Sequence, residues 1–383
     1  MEQQGKVLCI VVPDLFRITQ TFFHEHIARI HPGKTVVVHL SSTGQEALTD
    51  VPVCEISTEP LWPKTSLPLM GKVLDVANSI HTSRLSGKDE ARIEAFFAKH
   101  GVTHLFAEFA TSASLVLELA ERLNLPLTSL SHGWDINIMG GGRVWRKRYE
   151  RLFASSTRLA AVCEFLRQQM LLLGAPPEKV SIIPCAVEAA NFEVAEQGSS
   201  VRVVMVCRLI DQKGPLQALR AFAIAHKERP QLTLDVAGNG PLEQHLLAEI
   251  DRLGLTEAVN FHGDMPHEET LSLIANSQIF IQHCMTLPGK GIESQAISLL
   301  EAMGHGLVPV VSRHGGMADH VKHGERGWLV EEGDEAAMAK HIVAMNDDAD
   351  ARRSIGAKAR TYVLDNFSRE RIYPVLRETI GLV

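Results

Sequence analysis

The chain has 383 residues, 45% of them hydrophobic and 22% charged, which supports folded domains and excludes a disordered chain. That length suits two domains of roughly 150–200 residues each. The formal net charge of −7 gives no global pull toward nucleic acid, so that partner class is not expected.

The first apolar run, residues 7–12, is too short for a signal-peptide core, and no small-residue cleavage site follows it. No run of about 18 apolar residues occurs, so no membrane span is expected. The six cysteines (Cys9, Cys54, Cys163, Cys185, Cys207 and Cys284) share no metal-like spacing and read as free, buried thiols in a reducing cytoplasm.

Residues 7–12 are continuously apolar and rich in β-branched side chains, the pattern of a strand buried on both faces of a parallel sheet. A helix is predicted over 19–30, a strand over 35–40, and an amphipathic helix over 91–100 closed by Gly101. A strand over 104–107, a helix over 112–123 and a strand over 127–130 follow. A glycine-rich loop, 139–142, leads into a basic and aromatic stretch, 143–151, and further strands are predicted at 159–163 and 180–184. The polar break at 193–200 is read as a linker between an N-terminal domain, 1–192, and a C-terminal domain, 201–365. Strands are predicted there at 201–207, 232–237, 259–262, 279–283, 308–312 and 327–330, with helices between most of them. Two helices close the chain, at 350–366 and 368–382, with Ser368 as the N-cap of the second. The final segment, 366–383, is expected to pack back on the N-terminal domain. The fold class is α/β: two Rossmann-like, doubly wound parallel-sheet domains facing a cleft. Such sheets bind ligands beyond the carboxyl ends of their strands.

Arg208 and Lys213 follow the strand that ends at Cys207, and Gly214 leads into the next helix. Two cations at a strand terminus suit a diphosphate whose charge grows as it leaves; a pair of solvated surface cations is the alternative. Glu293 and Glu301 would lie about 12 Å apart along a helix axis. That is too far for an acid–base dyad and suits gripping different hydroxyls of one elongated ligand. The helix start between them offers free N–H groups to phosphate, and two exposed helix glutamates are the alternative. Glu301, flanked by Leu299, Leu300, Ala302 and Met303, is expected to be buried and to meet a ligand or a cation. Gly238-Asn239-Gly240-Pro241 permits a tight turn beside a ligand, or forms an ordinary turn. His132, before Gly133 at a strand end, either faces the cleft or is a satisfied lone histidine.

Residues 201–332 resemble the donor domain of the family 4 glycosyltransferases, which have the GT-B fold. The resemblance is carried by Arg208 with Lys213-Gly214, Gly238-Asn239-Gly240-Pro241-Leu242, Phe261-His262-Gly263, Glu293 with Glu301, and the run 300–311. Gly315-Gly316, His323-Gly324 and Gly327-Trp328-Leu329-Val330 continue it. More loosely, residues 13–22 resemble the first loop of exopolysaccharide and colanic-acid-type members, and 162–192 the usual approach to the linker. The resemblance implies a retaining, metal-independent hexosyltransferase of polysaccharide biosynthesis. It would use a nucleotide sugar, UDP-linked in preference to GDP-linked, and a glycan or lipid-linked saccharide acceptor. Arg208 and Lys213 would hold the diphosphate, Glu301 the ribose hydroxyls, and Glu293 and His132 the donor sugar. Gly263, Asp264 and Met265 would read the base, and Gly238, Asn239, Ser294, Gln295, Ala296 and Ile297 would line the donor site. Asp14, Thr19, Thr21 and Phe22 would lie on the acceptor side.

The chain departs from the family pattern in Ser294-Gln295-Ala296, which stand where Gly and then Phe-Gly or a Pro are usual, in Ala186 and Glu188, and in a first loop without its glycines. A GT-B-fold nucleotide-sugar epimerase or hydrolase, and a non-catalytic nucleotide-sugar binding protein, are the alternative functions. The intact set Arg208, Lys213, Glu293 and Glu301 argues against a non-catalytic relic. His320 and His323, three apart, lack further ligands in a metal pattern, so no metal is expected. The stretch 143–151, with Arg143, Arg146, Lys147, Arg148 and Arg151, is either a solvated helix face or a weak docking surface for an anionic membrane.

Overall fold

The computed structural model describes residues 5–13, 21–40, 50–56, 84–188, 192–194 and 201–383. Asp14, Thr19 and the Thr21 side chain fall outside the described residues, as does most of the polar break at 193–200. The chain divides into two compact units, Met1–Pro184 with Ile372–Val383, and Cys185–Arg371.

In the first unit the described strands are β1 (Leu8–Val12), β2 (Thr35–His39), β3 (Val53–Glu55), β4 (His104–Glu108), β5 (Leu127–Ser131), β6 (Arg158–Ala161) and β7 (Val180–Ile182). They form one parallel sheet in the order β3-β2-β1-β4-β5-β6-β7. In the second unit β8 (Arg202–Val206), β9 (Thr233–Ala237), β10 (Val259–Gly263), β11 (Ile279–Gln282), β12 (Val308–Ser312) and β13 (Trp328–Val330) form a second parallel sheet, in the order β10-β9-β8-β11-β12-β13. β1, β2, β5 and β12 are buried at every position, as strands covered on both faces by helices must be.

Side-chain alternation assigns each face its own core. In β8, Val203 and Met205 join the cluster that includes Phe222 and Ile342, while Val204 joins Phe280, Leu300 and Phe367 on the other face. Each sheet has one place where chain order reverses. β1 lies between β2 and β4, and β8 between β9 and β11. Connections leave in opposite directions there and open a crevice at the carboxyl ends.

Several boundaries differ from the sequence reading, each for a local reason. The helix read from 91 begins at Gly87, because Ser86 Oγ accepts the Asp89 N–H at 3.2 Å. The helix read from 112 begins at Ala110, whose N–H donates to the Asp135 carboxylate at 2.8 Å. The unit division lies at Pro184/Cys185, ahead of the polar break. Cys185 is held in the second unit by the Gln295 side chain, which accepts its N–H at 2.8 Å and donates to its carbonyl at 3.2 Å. Val187 pairs in parallel with Ser368, and Phe192 packs so tightly on Gly304 that a Cβ there would lie 2.3 Å from its ring. The last helix, Arg369–Ile380, contributes its residues from Ile372 onward to the first unit. Arg377 donates there to the carbonyls of Ile30 at 2.7 Å and Arg29 at 2.8 Å.

Candidate functional site

At the reversal point of the second sheet, the chain leaves β8 through Cys207, Arg208 and a short 3-10 turn, Asp211–Lys213, and enters the helix Pro215–Glu228. Gly214 makes this entry possible. It sits at φ +57, and a Cβ there would lie 1.8 Å from the His283 carbonyl oxygen. Gly238, at the end of β9, has φ +132 and approaches the Cys207 carbonyl oxygen so closely that a Cβ would lie 1.9 Å from it. The glycines thus bring three strand ends, β8, β9 and β11, into backbone contact.

Lys213 is buried, and its Nζ is bonded to Glu293 Oε2. Burial alone would push the Glu293 carboxyl up, but the Lys213 ammonium, helped by the charge of Arg208, holds it below the usual carboxylate range. Burial likewise works against the Lys213 charge, and Glu293 overrides it and pushes the ammonium up. Arg208 is exposed. One cation is therefore locked in the structure and the other faces solvent.

The backbone of Glu293 is pinned on both sides. Its N–H donates to His314 Nε2 at 3.1 Å, and its carbonyl accepts the Gly316 N–H at 2.9 Å. His314 must then carry its proton on Nδ1, which faces Glu332 Oε1 at 2.7 Å. Glu332 in turn accepts from the Thr286 N–H at 2.6 Å and hydroxyl at 2.8 Å.

Ser294, Gln295 and Ala296 are not helical. The helix runs Ile297–Gly304 and leaves Glu293 outside it, because Gln295 is drawn away to the Cys185 backbone. The 12 Å axial spacing of Glu293 and Glu301 therefore does not apply. Ala296 gives the helix no side-chain cap, so its first N–H groups stay available to an anion. Ser298 Oγ donates to the Val206 carbonyl at 2.9 Å, which sets this helix start beside the end of β8. Ser294 Oγ is buried without a hydrogen-bond partner among the described residues.

Glu301 is 8% exposed. Its nearest basic group is His267 Nε2 at 3.5 Å, and burial pushes its carboxyl up. Asn239 accepts the Leu209 N–H at its carbonyl at 2.7 Å. Gly263 ends β10 and accepts the Gly238 N–H at 2.7 Å, Asp264 is exposed and Met265 half-buried. The second unit thus gathers Arg208, Lys213, Gly238, Asn239, Glu293 and residues 294–297 around β8 and β11.

The first unit holds a constellation that the sequence reading missed. Glu108, the last residue of β4, is fully buried at the reversal point. Its Oε2 faces His132 Nε2 at 2.7 Å, and its Oε1 is bonded to His26 Nδ1. Burial would raise this carboxyl, but the imidazoles, His26 foremost, hold it at about 2. Phe22 stacks on His132 with ring centroids 4.3 Å apart. The available signal was a charged residue directly after the apolar run 105–107, where the strand reading stopped one residue short.

The basic stretch forms the helix Arg143–Ala154, which buries Trp145, Tyr149, Leu152 and Phe153. Arg148 and Arg151 pair with Glu118, whereas Arg143, Arg146 and Lys147 are exposed. His320 is buried against the edge of Phe367, and His323 Nδ1 lies 3.1 Å from the Leu329 carbonyl. Among the described residues no group of three or more His, Cys, Asp or Glu is placed to hold a metal ion, and no helix is long and apolar enough to cross a membrane.

The family model described as "Glycosyltransferase Family 4" matches residues 79–191, and the model described as "Glycosyl transferases group 1" matches residues 187–362. The chain is 27% identical over 252 residues to the amylovoran biosynthesis glycosyltransferase AmsK of Erwinia amylovora, a match that covers 65% of this chain and 62% of AmsK. It is 24% identical over 290 residues to the GDP-mannose-dependent alpha-(1-6)-phosphatidylinositol monomannoside mannosyltransferase of Mycolicibacterium smegmatis, covering 72% of this chain and 76% of that protein. The crystal structure of Anabaena HepE in complex with UDP superposes with a TM-score of 0.79 at 17% identity, over 98% of this chain and 100% of that one. The two family matches follow one another along residues 79–362, so the chain belongs to the family 4 glycosyltransferases; the structural likeness shows the GT-B fold.

Proposed function

We propose that the chain is a retaining glycosyltransferase that moves a hexose from a nucleoside diphosphate sugar to a glycan or lipid-linked saccharide in polysaccharide assembly. A UDP-sugar is the favoured donor and a GDP-sugar the next. The observation that carries this reading is the set of groups at the second reversal point: the pair of buried Lys213 with half-buried Glu293, exposed Arg208, and the uncapped start of the helix Ile297–Gly304. Such a set compensates a diphosphate as its charge develops, without a divalent cation. The family membership and the nucleotide named for two of its relatives support the donor class.

In this reading Arg208 and Lys213 hold the diphosphate and Glu301 takes the ribose hydroxyls. Glu293 and His132 are assigned to the sugar, residues 263–265 to the base, and Asp14, Thr19, Thr21 and Phe22 to the acceptor. The acceptor hydroxyl attacks the anomeric carbon on the face from which the diphosphate departs. The new C–O bond forms as the sugar–phosphate bond breaks, and the leaving phosphate oxygen takes the acceptor proton. Arg143, Arg146 and Lys147 provide weak docking to an anionic membrane on its cytoplasmic face.

Thermal unfolding with UDP, GDP, ADP and dTDP tests the donor assignment. One nucleotide raises the midpoint by mass action, and Glu301→Ala abolishes that rise. No rise with any of them overturns the proposal. The anomeric configuration of the product, read by NMR, tests retention, and turnover that persists in EDTA tests metal independence. Absence of binding to phosphatidylglycerol vesicles at low salt removes the membrane role.

A further inference from the structure

Glu108 is enclosed on every side, and both of its oxygens face imidazoles. A carboxylate held ionised can only accept hydrogen bonds. His132 must therefore carry a proton on Nε2, and His26 on Nδ1.

The surroundings hold this arrangement from both strand ends. Asp135, itself fully buried, accepts the Ala110 N–H at 2.8 Å beyond β4, and the His132 and Gly133 N–H groups at 3.3 and 3.0 Å beyond β5. Phe109, between Glu108 and Ala110, sits at φ +76, a region that L residues rarely adopt. It donates its N–H to the Leu130 carbonyl at 2.8 Å and turns its ring edge to His132. Phe22 covers the His132 face, and Phe106 and Tyr373 present ring edges to His26.

We propose that Glu108 is a positioning residue that locks His132 in its Nε2–H tautomer, with His26 holding the second carboxylate oxygen so that the carboxylate cannot turn away. In this tautomer Nδ1 of His132 carries the lone pair that can accept a hydrogen bond. The effect on turnover rests on the assignment of His132 to the donor sugar; the tautomer does not.

The test uses the full chain labelled with ¹⁵N-histidine, His132 being identified by the signals lost in His132→Asn. In the ligand-free wild type His132 shows a protonated Nε2 and an unprotonated Nδ1. In Glu108→Gln, whose amide can also donate, the two nitrogen shifts move toward a mixture of tautomers. Turnover of UDP-glucose or GDP-mannose, whichever the nucleotide screen selects, falls about tenfold or more in kcat, with KM within about twofold. His26→Gln, which keeps a donor toward Glu108, retains the His132 tautomer and most of kcat. A wild-type His132 protonated on Nδ1 alone overturns the inference without any variant. So does Glu108→Gln that folds with His132 shifts and kcat unchanged. If the nucleotide screen is negative, the donor reading fails while the tautomer measurement still decides this inference.

Discussion

The two reversal points share a strand order and differ in charge design. Each places one carboxylate at the end of the strand that follows the reversal or in the loop beyond it: fully buried Glu108 in the first unit, half-buried Glu293 in the second. Glu108 is shared by two imidazoles, groups that can also exist neutral. Glu293 is held by an ammonium, which keeps its charge, with Arg208 adding to the field. The topology fixes where a ligand can approach, and the partner chemistry determines what it can be. In the proposed function the first arrangement meets a neutral, hydrogen-bonding sugar and the second a diphosphate.

The largest expected effect breaks this contrast at its charged end. Lys213→Ala leaves the half-buried Glu293 carboxylate unpaired and costs about 3 kcal/mol in urea unfolding, the low end for a buried pair, with loss of turnover. The double variant Lys213→Met, Glu293→Gln recovers most of that stability and none of the activity. Were Lys213→Ala as stable as wild type, the pair would not organise the site. At the imidazole end, Glu108→Gln leaves two groups that can stay neutral, so it costs only about 1–3 kcal/mol by the same measurement.

Gly238→Ala probes the shared architecture. With φ +132 and the Cys207 carbonyl in the way, it destabilises by about 1–3 kcal/mol or displaces the turn. Nucleotide binding falls with it, and a variant that binds UDP or GDP like wild type would show that close approach of β9 to β8 is dispensable.

Acid acts on the buried carboxylate and on the buried histidines in different windows. Glu108 titrates at about 2 against an ordinary 4.5. Its contribution is thus complete above pH 4.5 and is lost as pH falls toward 2. His283 and His320, pushed down by burial to about 4 from 6.5, behave differently. The unfolded chain binds their protons first, so the second unit weakens as pH falls from 6.5 to 4. His320→Leu flattens the slope of stability against pH in that window by about 1–3 kcal/mol across its width. An unchanged slope would mean that His320 is hydrated in solution. The smallest effect is at the surface: Arg143→Ala with Lys147→Ala shifts stability by less than about 0.5 kcal/mol, and thermal unfolding checks it.

The candidate site of the second unit was the most legible in sequence because its residues are close along the chain. Cys207 to Gly214 and Glu293 to Glu301 each lie within one loop and one helix turn or two, so spacing alone brings them near a strand end. Glu293 lies outside the helix that carries Glu301 because Gln295 takes its partner from Cys185, 110 positions earlier. Pairing at that distance leaves no periodic trace. Glu108 was passed over for the same reason: its partners, His26 and His132, lie 82 and 24 residues away on other elements.

By itself the sequence determined the parallel α/β class, the glycine-dependent turns and the charged residues that follow β8. Strand burial and local spacing depend only on the order of apolar, glycine and charged residues. Tertiary structure alone decided that Lys213 is buried against Glu293 while Arg208 faces water, that His314 and Glu332 hold the Glu293 backbone, and that His26, Glu108 and His132 converge. Those choices follow from which strands lie side by side, and strand order is set by the packing of the whole sheet rather than by any segment of it.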